Sequence, residues 1–370
     1  MFRRIRRVTL TLHRWVALAV SVLVILIAGS GAILVFESEI DRVLSPGLSY
    51  VAPRGQAVPL AAIKDTVARA YPKLRVLNLF LPTDPAFSIS VMMSDGTRVF
   101  VDPYTGTILG ARHNTASLMY QVHQLHTRLL VPVKVVRPAP NLPARLTRLG
   151  NEIVGWGTVV VLFLTLSGLL VWFPRMTLTA ARGSRWMRFN LDLHNLTGIY
   201  AVVFAVILAV TGIAIGFEAP GRFVRNLTGT PAPAPPVMVR PEKGRAMISV
   251  DAALAAAAAS VPGAAPAFVV LPAPPAFTYF VLLRFPEDAT PGGRTKVSVN
   301  PYTGQVVERV TSRDALLGTR ILNAMRPWHT GDIYGWPSRI VMFLASLAIV
   351  AQALTGAIAW WARTFRRAAA

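Results

Sequence analysis

Cysteine is absent from all 370 residues. Its absence excludes disulfides, thiolate metal sites, Cys-ligated iron-sulfur clusters and the C-x-x-C-H attachment of c-type haem. Acidic residues are scarce, 17 Asp and Glu against 38 Lys and Arg, and there are only six histidines. No Gly-rich nucleotide fingerprint follows a predicted strand, and neither a Ser-His-Asp nor an H-E-x-x-H arrangement supports a hydrolase. Any metal chemistry therefore rests on histidine, carboxylate or methionine.

What the chain has in quantity is apolar sequence, 53% of all residues, and it is clustered. Four runs, at 16–36, 153–173, 196–217 and 340–361, have the length of about 20 residues that crosses a bilayer core, which implies a polytopic helical membrane protein. A formal charge of +21 suits nucleic acid, but its distribution argues against that partner. Arg3, Arg4, Arg6, Arg7 and Arg14 precede the first run, Arg175, Arg182, Arg185 and Arg188 lie between the second and third, and Arg363, Arg366 and Arg367 follow the fourth. This positive-inside pattern places both termini and the short middle loop in the cytoplasm. The stretch Phe36-Glu37-Ser38-Glu39 offers no small-x-small cleavage site, so the first run is expected to be a retained signal anchor.

The expected organisation is a basic segment (1–14), a first span (15–36), an outward segment (37–150), a second span (151–173), a cytoplasmic loop (174–192), a third span (193–217), a second outward segment (218–339), a fourth span (340–361) and a tail (362–370). In the first outward segment, 59–71 reads as a helix and 76–81, 87–93, 97–101 and 107–110 as strands, with a turn at Asp102-Pro103-Tyr104-Thr105-Gly106. Residues 114–131 read as a helix with His123 and His126 on one face, and 132–143 as a proline-rich connection. In the second, 220–241 reads as a linker, 248–261 as a helix, and 268–271, 277–285 and 297–299 as strands that run into Asn300-Pro301-Tyr302-Thr303-Gly304.

The order recurs. His13 and His194 are offset by 181 residues, Asp102 and Asn300 by 198, and His126 and His329 by 203. The chain thus reads as two copies of one unit: basic loop, histidine, outward span, small α+β module, histidine, inward span. Two spans per unit insert both copies in the same orientation, a parallel repeat about an axis near the membrane normal. Gly29, Ser30 and Gly31 read as a small-residue patch for helix packing.

The repeat sorts the histidines by depth. His13 and His194 lie at the cytoplasmic side of spans one and three; His126 and His329 lie at the outer side before spans two and four. Paired neutral imidazoles across a helix bundle suit axial coordination of a b-type haem, and one haem near each face would form an electron path across the bilayer. A lone histidine at a span end serves equally well as an interfacial hydrogen-bonding group. His123 is an alternative to His126 as outer ligand; its repeat position holds Arg326. A zinc or copper site built from His123, His126 and His329 is the rival chemistry. His113 has no repeat partner and reads as a surface residue. Arg128 and Arg326 are candidates to meet an anionic group.

Leu12-His13-Arg14-Trp15, the Asp102 to Gly106 turn, Leu125-His126, Ser167-Gly168-Leu169-Leu170-Val171-Trp172-Phe173-Pro174-Arg175, Asp192-Leu193-His194 and His329-Thr330-Gly331-Asp332 through Gly335 resemble the PepSY-associated transmembrane helix family, also called iron-regulated or iron-uptake membrane proteins. The resemblance covers almost the whole chain. It implies four transmembrane helices in the bacterial inner membrane, two periplasmic PepSY-like α+β modules, and two b-type haems with His13 and His194 as inner and His126 and His329 as outer axial ligands. It further implies a ferric-siderophore reductase that releases Fe(II), fed by membrane quinol or by a separate cytoplasmic reductase. Asn300 stands where the first turn has Asp102, and Asn195 where many relatives carry a basic residue. Two alternatives stay open: a haem-free PepSY binding or regulatory membrane protein holding a peptide or peptidase, and a siderophore or iron permease.

Overall fold

The computed structural model describes residues 1–131, 149–173, 186–242 and 244–365. The expected connection at 132–143 and the arginines at 175, 182, 185, 366 and 367 lie outside the described residues. In chain order the elements are α1 (Phe2–Leu34), α2 (Glu37–Leu44), α3 (Pro46–Ser49), α4 (Leu60–Ala70), β1 (Val76–Phe80), β2 (Ile89–Met93), β3 (Thr97–Val101), β4 (Ile108–His113) and α5 (Leu118–Arg128), followed by α6 (Leu149–Trp172), α7 (Trp186–Gly216) and α8 (Glu218–Thr228). The remainder are α9 (Val250–Ser260), β5 (Ala265–Val270), β6 (Tyr279–Arg284), β7 (Thr295–Val299), β8 (Val306–Val310), α10 (Leu317–Thr330) and α11 (Trp336–Phe365). They fall into two compact units, one of Met1–Glu37, Gln121–Phe223 and Ala324–Ala370, the other of Ser38–Tyr120 and Val224–Asn323.

The first unit is a bundle. Its helices α1, α6, α7 and α11 are long and apolar enough to cross a membrane. Helix α1 packs on α6 and α11, and α7 packs on the same two, so α1 and α7 stand diagonally. Both begin earlier than the apolar runs alone suggest, at Phe2 and Trp186. No glycine or proline interrupts 2–28 or 186–197, so nothing stops the helix at the membrane boundary. His13 and His194 are consequently held inside continuous helices. At the other end, the Arg339 guanidinium donates to the carbonyl of Val35 at 2.6 and 3.1 Å and stacks over Phe36 and Trp336. A cation thereby closes the C-terminus of α1, where the helix dipole favours it.

The second unit holds the two expected α+β modules, joined edge to edge. Its strands form one eight-stranded sheet in the order β4-β3-β2-β1-β5-β6-β7-β8. Each half is a four-stranded antiparallel meander, and the halves join by antiparallel pairing of β1 with β5, Asn78 opposite Val270, Leu79 opposite Val269 and Phe80 opposite Phe268. Alone, each half would leave a free strand edge, and pairing the two edges satisfies their backbone groups. Helices α4 and α9 supply Ile63, Val67, Ala253 and Ala257 to a core with Leu79, Val91, Val269 and Val281, all fully buried. A second tie crosses the halves. Pro59, at the start of α4, has no capping side chain, and Asp251 of α9 accepts from the backbone of Leu60 at 2.7 Å and Ala61 at 2.8 Å. Helix α9 is capped locally, by Ser249.

The two turns take the expected shape. Asp102 Oδ1 accepts from the Tyr104 amide at 2.8 Å and Asn300 Oδ1 from the Tyr302 amide at 2.9 Å, with Gly106 and Gly304 at φ of +71° and +74°. The Asp to Asn difference is silent because the turn uses one acceptor oxygen that both side chains have. The expected linker at 220–241 is shorter than it reads, since 218–228 is helical. Pro220 falls in the first turn, where its missing amide hydrogen costs nothing.

Candidate functional site

Four histidines of the bundle are seated in the same way, each on a hydroxyl residue followed by glycine. His13 of α1 meets Ser167 and Gly168 of α6, with Nδ1 2.9 Å from the Ser167 hydroxyl. His194 of α7 meets Thr355 and Gly356 of α11, also at 2.9 Å. His126 of α5 sits on Ser30 and Gly31 of α1, its Nδ1 2.9 Å from the Ile27 carbonyl and 3.5 Å from Ser30 Oγ. His329 of α10 sits on Thr211 and Gly212 of α7, its Nδ1 3.0 Å from Thr211 Oγ1 and 3.1 Å from the Leu208 carbonyl. Three of the glycines are needed for closeness: a Cβ at Gly31, Gly212 or Gly168 would lie 2.9, 3.2 or 3.3 Å from the imidazole Cε1 above it, whereas at Gly356 it would lie 3.6 Å away, an ordinary contact.

The hydrogen bonds fix the tautomer. Each hydroxyl has one proton, and it is engaged with a carbonyl of its own helix: Ser167 with Leu164, Thr355 with Ala351, Thr211 with Ile207 and Ser30 with Leu26. Each hydroxyl must then accept, so each histidine donates from Nδ1. The bare nitrogen is Nε2, and among the described residues it has no hydrogen-bond partner in any of the four. This is the form of imidazole that ligates a metal, with the other ring nitrogen held by an acceptor.

The seats lie at two levels. Ser30 follows His13 by 17 residues, and Thr211 follows His194 by the same number, a rise of about 25 Å, close to the hydrocarbon thickness of about 30 Å. At the outer level the rings of His126 and His329 are 6.1 Å apart, centre to centre, and inclined by 45°. Two metal–nitrogen bonds of about 2 Å, plus about 1 Å from each nitrogen to its ring centre, span about 6 Å, so this pair fits one ion between two imidazoles. Burial keeps both of these rings below the ordinary histidine range, with His329 further lowered by its neighbour His126, and both are neutral near pH 7. At the inner level His13 and His194 occupy matching positions on the diagonal helices α1 and α7. An open cavity of about 1000 Å³ adjoins that level, lined by Trp15, Ala19, Trp186, Ala357, Trp360 and Trp361 among others.

The remaining candidates separate from the two pairs. His123 lies 3.7 Å from Glu37 through Nδ1, with its side chain 41% exposed. Among the described residues no three of His, Cys, Asp or Glu come together to hold a metal ion, so the zinc or copper arrangement of His123, His126 and His329 is not assembled. His113 is a surface residue that binds the Asp95 carbonyl and Thr115. Arg326 is exposed, whereas Arg128 has a buried Nε with no hydrogen-bond partner among the described residues. The hydroxyl and glycine seats are what sequence reasoning missed, having taken Ser30 and Gly31 for helix packing alone. A signal was present, since every span carries a Ser-Gly or Thr-Gly pair and these recur 17 residues after the histidine in α1 and α7.

Residues 10–363 match the family described as the PepSY-associated TM region, a stretch that contains all four seated histidines. No curated protein matches the chain. With a match over nearly its whole length and four membrane-length helices, the chain belongs to the PepSY-associated transmembrane family, as a multi-pass membrane protein with periplasm-facing soluble domains.

Proposed function

We propose that this protein carries electrons across the inner membrane through two histidine pairs, His13 with His194 and His126 with His329, each holding a b-type haem, and reduces a ferric siderophore in the periplasm. The observation that carries this reading is the outer pair, two neutral imidazoles 6.1 Å apart with Nδ1 tied and Nε2 bare. A bound b-type haem supplies a one-electron Fe(III)/Fe(II) couple. The protein's part is to hold the ligands: Ser167, Thr355, Ser30 and Thr211 keep the proton on Nδ1, and the adjoining glycines let the rings lie against the helices. Helices α1 and α7 each carry one inner histidine and one outer seat, which sets the spacing of the two levels. Electrons would enter from membrane quinol or a separate cytoplasmic reductase. Their delivery to the chelate would weaken it, because a hard oxygen-donor set holds Fe(II) less tightly than Fe(III). Purified protein should show two b-type haems per chain in a reduced-minus-oxidised spectrum with haem quantification. Colourless protein overturns the proposal.

The family match and the fold by themselves support a broader reading, a haem-free PepSY membrane protein whose soluble domains bind or regulate a peptide or a peptidase. The lack of any three-residue metal cluster among the described residues sides with it. Colourless protein that retains peptide or protease affinity would establish this second reading. A permease for iron or siderophore needs a polar path that these apolar spans do not provide, and it predicts transport in proteoliposomes without reduction.

A further inference from the structure

A fifth hydroxyl and glycine pair lies in the bundle, and a histidine does not occupy it. Thr197 and Gly198 of α7 receive Gln352 of α11. The Gln352 amide nitrogen is 2.6 Å from the carbonyl of His194 and 2.6 Å from Thr197 Oγ1, and a Cβ on Gly198 would lie 3.2 Å from the Gln352 amide oxygen. The amide orientation follows from its partners. The His194 carbonyl can only accept, and Thr197 donates its own proton to Leu193 at 2.8 Å, so both must receive from Nε2. A neutral amide in an apolar span is costly unless it is bonded, and this one directs both of its bonds at the helical turn that carries His194.

We propose that Gln352 is a positioning residue for the inner imidazole, a deepening that rests on the ligand role given to His194 above. Residues 352 and 355 share one face of α11. Gln352 grips the backbone of His194 while Thr355 accepts from its ring. The histidine is thus held at both ends by one helix. The first half of the chain has no equivalent: by the offset between Ser167 and Thr355, Leu164 stands where Gln352 does, and by the offset between His13 and His194, Val16 and Ala17 stand where Thr197 and Gly198 do. His13 is held by its hydroxyl seat without such a second grip. Among the described residues the two inner histidines are thus held unequally, His194 at ring and backbone and His13 at the ring.

The test uses full-length protein with ¹⁵N-labelled histidine, prepared with and without haem, and compares wild type with Gln352→Met, which keeps the volume and removes both bonds. In haem-free protein the His194 ring nitrogen signals should keep their Nδ1–H pattern but shift and broaden as the turn that carries the ring loses its hold, while those of His126 and His329 stay unchanged. With haem, the inner site should retain it about tenfold less well, as for lost outer-shell partners of metal ligands, and its midpoint potential should shift while the outer one stays. Unaltered His194 signals in Gln352→Met overturn the proposal. If that variant does not fold, Gly198→Ala, whose methyl group would stand 3.2 Å from the amide oxygen and pushes it aside by a few tenths of an ångström, is read for a smaller change in the same signals. Wild type that takes up no haem removes the haem reading, and the His194 ring nitrogen signals of the haem-free protein still decide the role of Gln352.

Discussion

The two halves of the chain carry the same histidine seats and differ in what surrounds them. Ser167-Gly168 and Thr355-Gly356 hold the inner rings, Ser30-Gly31 and Thr211-Gly212 the outer ones. Around this shared frame the halves diverge. The second half adds Gln352 and the Thr197-Gly198 pair, and lends Asp251 to cap a helix of the first half. The first half adds His123, paired with Glu37, where the second has Arg326. The common features are those that touch the imidazoles, whereas the divergent ones fix helices or face outward. The repeat thus presents two matching histidine seats per level, and the halves differ in the contacts around them.

If the halves are equivalent at each level, removing either member should have the same effect. His13→Ala and His194→Ala should each abolish the inner haem signal, and His126→Ala and His329→Ala the outer one, read in reduced-minus-oxidised spectra. Retention of the outer signal in His126→Ala but not His329→Ala would mean that His123 replaces His126 and that the pairing is unequal.

The glycines grade the seats more finely. Gly31→Ala puts a methyl group 2.9 Å from His126 and should lower outer haem retention about tenfold, in the range for disturbed outer-shell partners. Gly356→Ala, at 3.6 Å from His194, is ordinary contact and should be tolerated. Equal losses would show that the seats do not depend on closeness.

In the soluble unit the unequal capping of α4 and α9 predicts unequal costs. Asp251→Ala leaves two amides of α4 without an acceptor and should lower stability by about 2 kcal/mol, whereas Ser249→Ala should cost about 1 kcal/mol. Denaturant unfolding followed on the soluble unit within the full chain checks both. Asp251→Asn should also bring the Tyr279 hydroxyl closer to its ordinary range, because burial and then the Asp251 charge hold it high.

The smallest effect concerns the exposed pair of Glu287 and Arg313, 2.6 Å apart, in the second half of the soluble unit. The hydrogen bond from Arg313 holds the Glu287 carboxyl below its usual range. A depressed carboxylate contributes stability that is present above its unfolded value and is lost as pH falls through the folded one. The difference in Tm between wild type and Glu287→Gln should therefore be small near neutrality and vanish in acid. A difference that grows in acid would mean the pair is not the source.

Much of the architecture was legible in the residues. Apolar runs near 20 residues long announce spans, and Asp102 to Gly106 and Asn300 to Gly304 announce turns, because both depend on neighbours close in sequence. The family assignment likewise followed from motifs that keep their order. Less legible were the ends of elements. Residues 2–14 and 186–192 continue their helices because nothing in them breaks a helix, although their charge suggests a loop.

Sequence alone determined the class of the protein, the four spans, the two-fold repeat and the short set of candidate histidines. Only the tertiary structure decided which side chains meet. His13 finds Ser167 across 154 residues, His329 finds Thr211 across 118, and Gln352 finds Thr197 across 155. The joining of two modules into one sheet belongs to the same class, since β1 and β5 pair across nearly 200 residues of sequence. Periodicity and turn chemistry act over a few residues, whereas seats, seams and second grips arise where helices and strands distant in the chain are packed together.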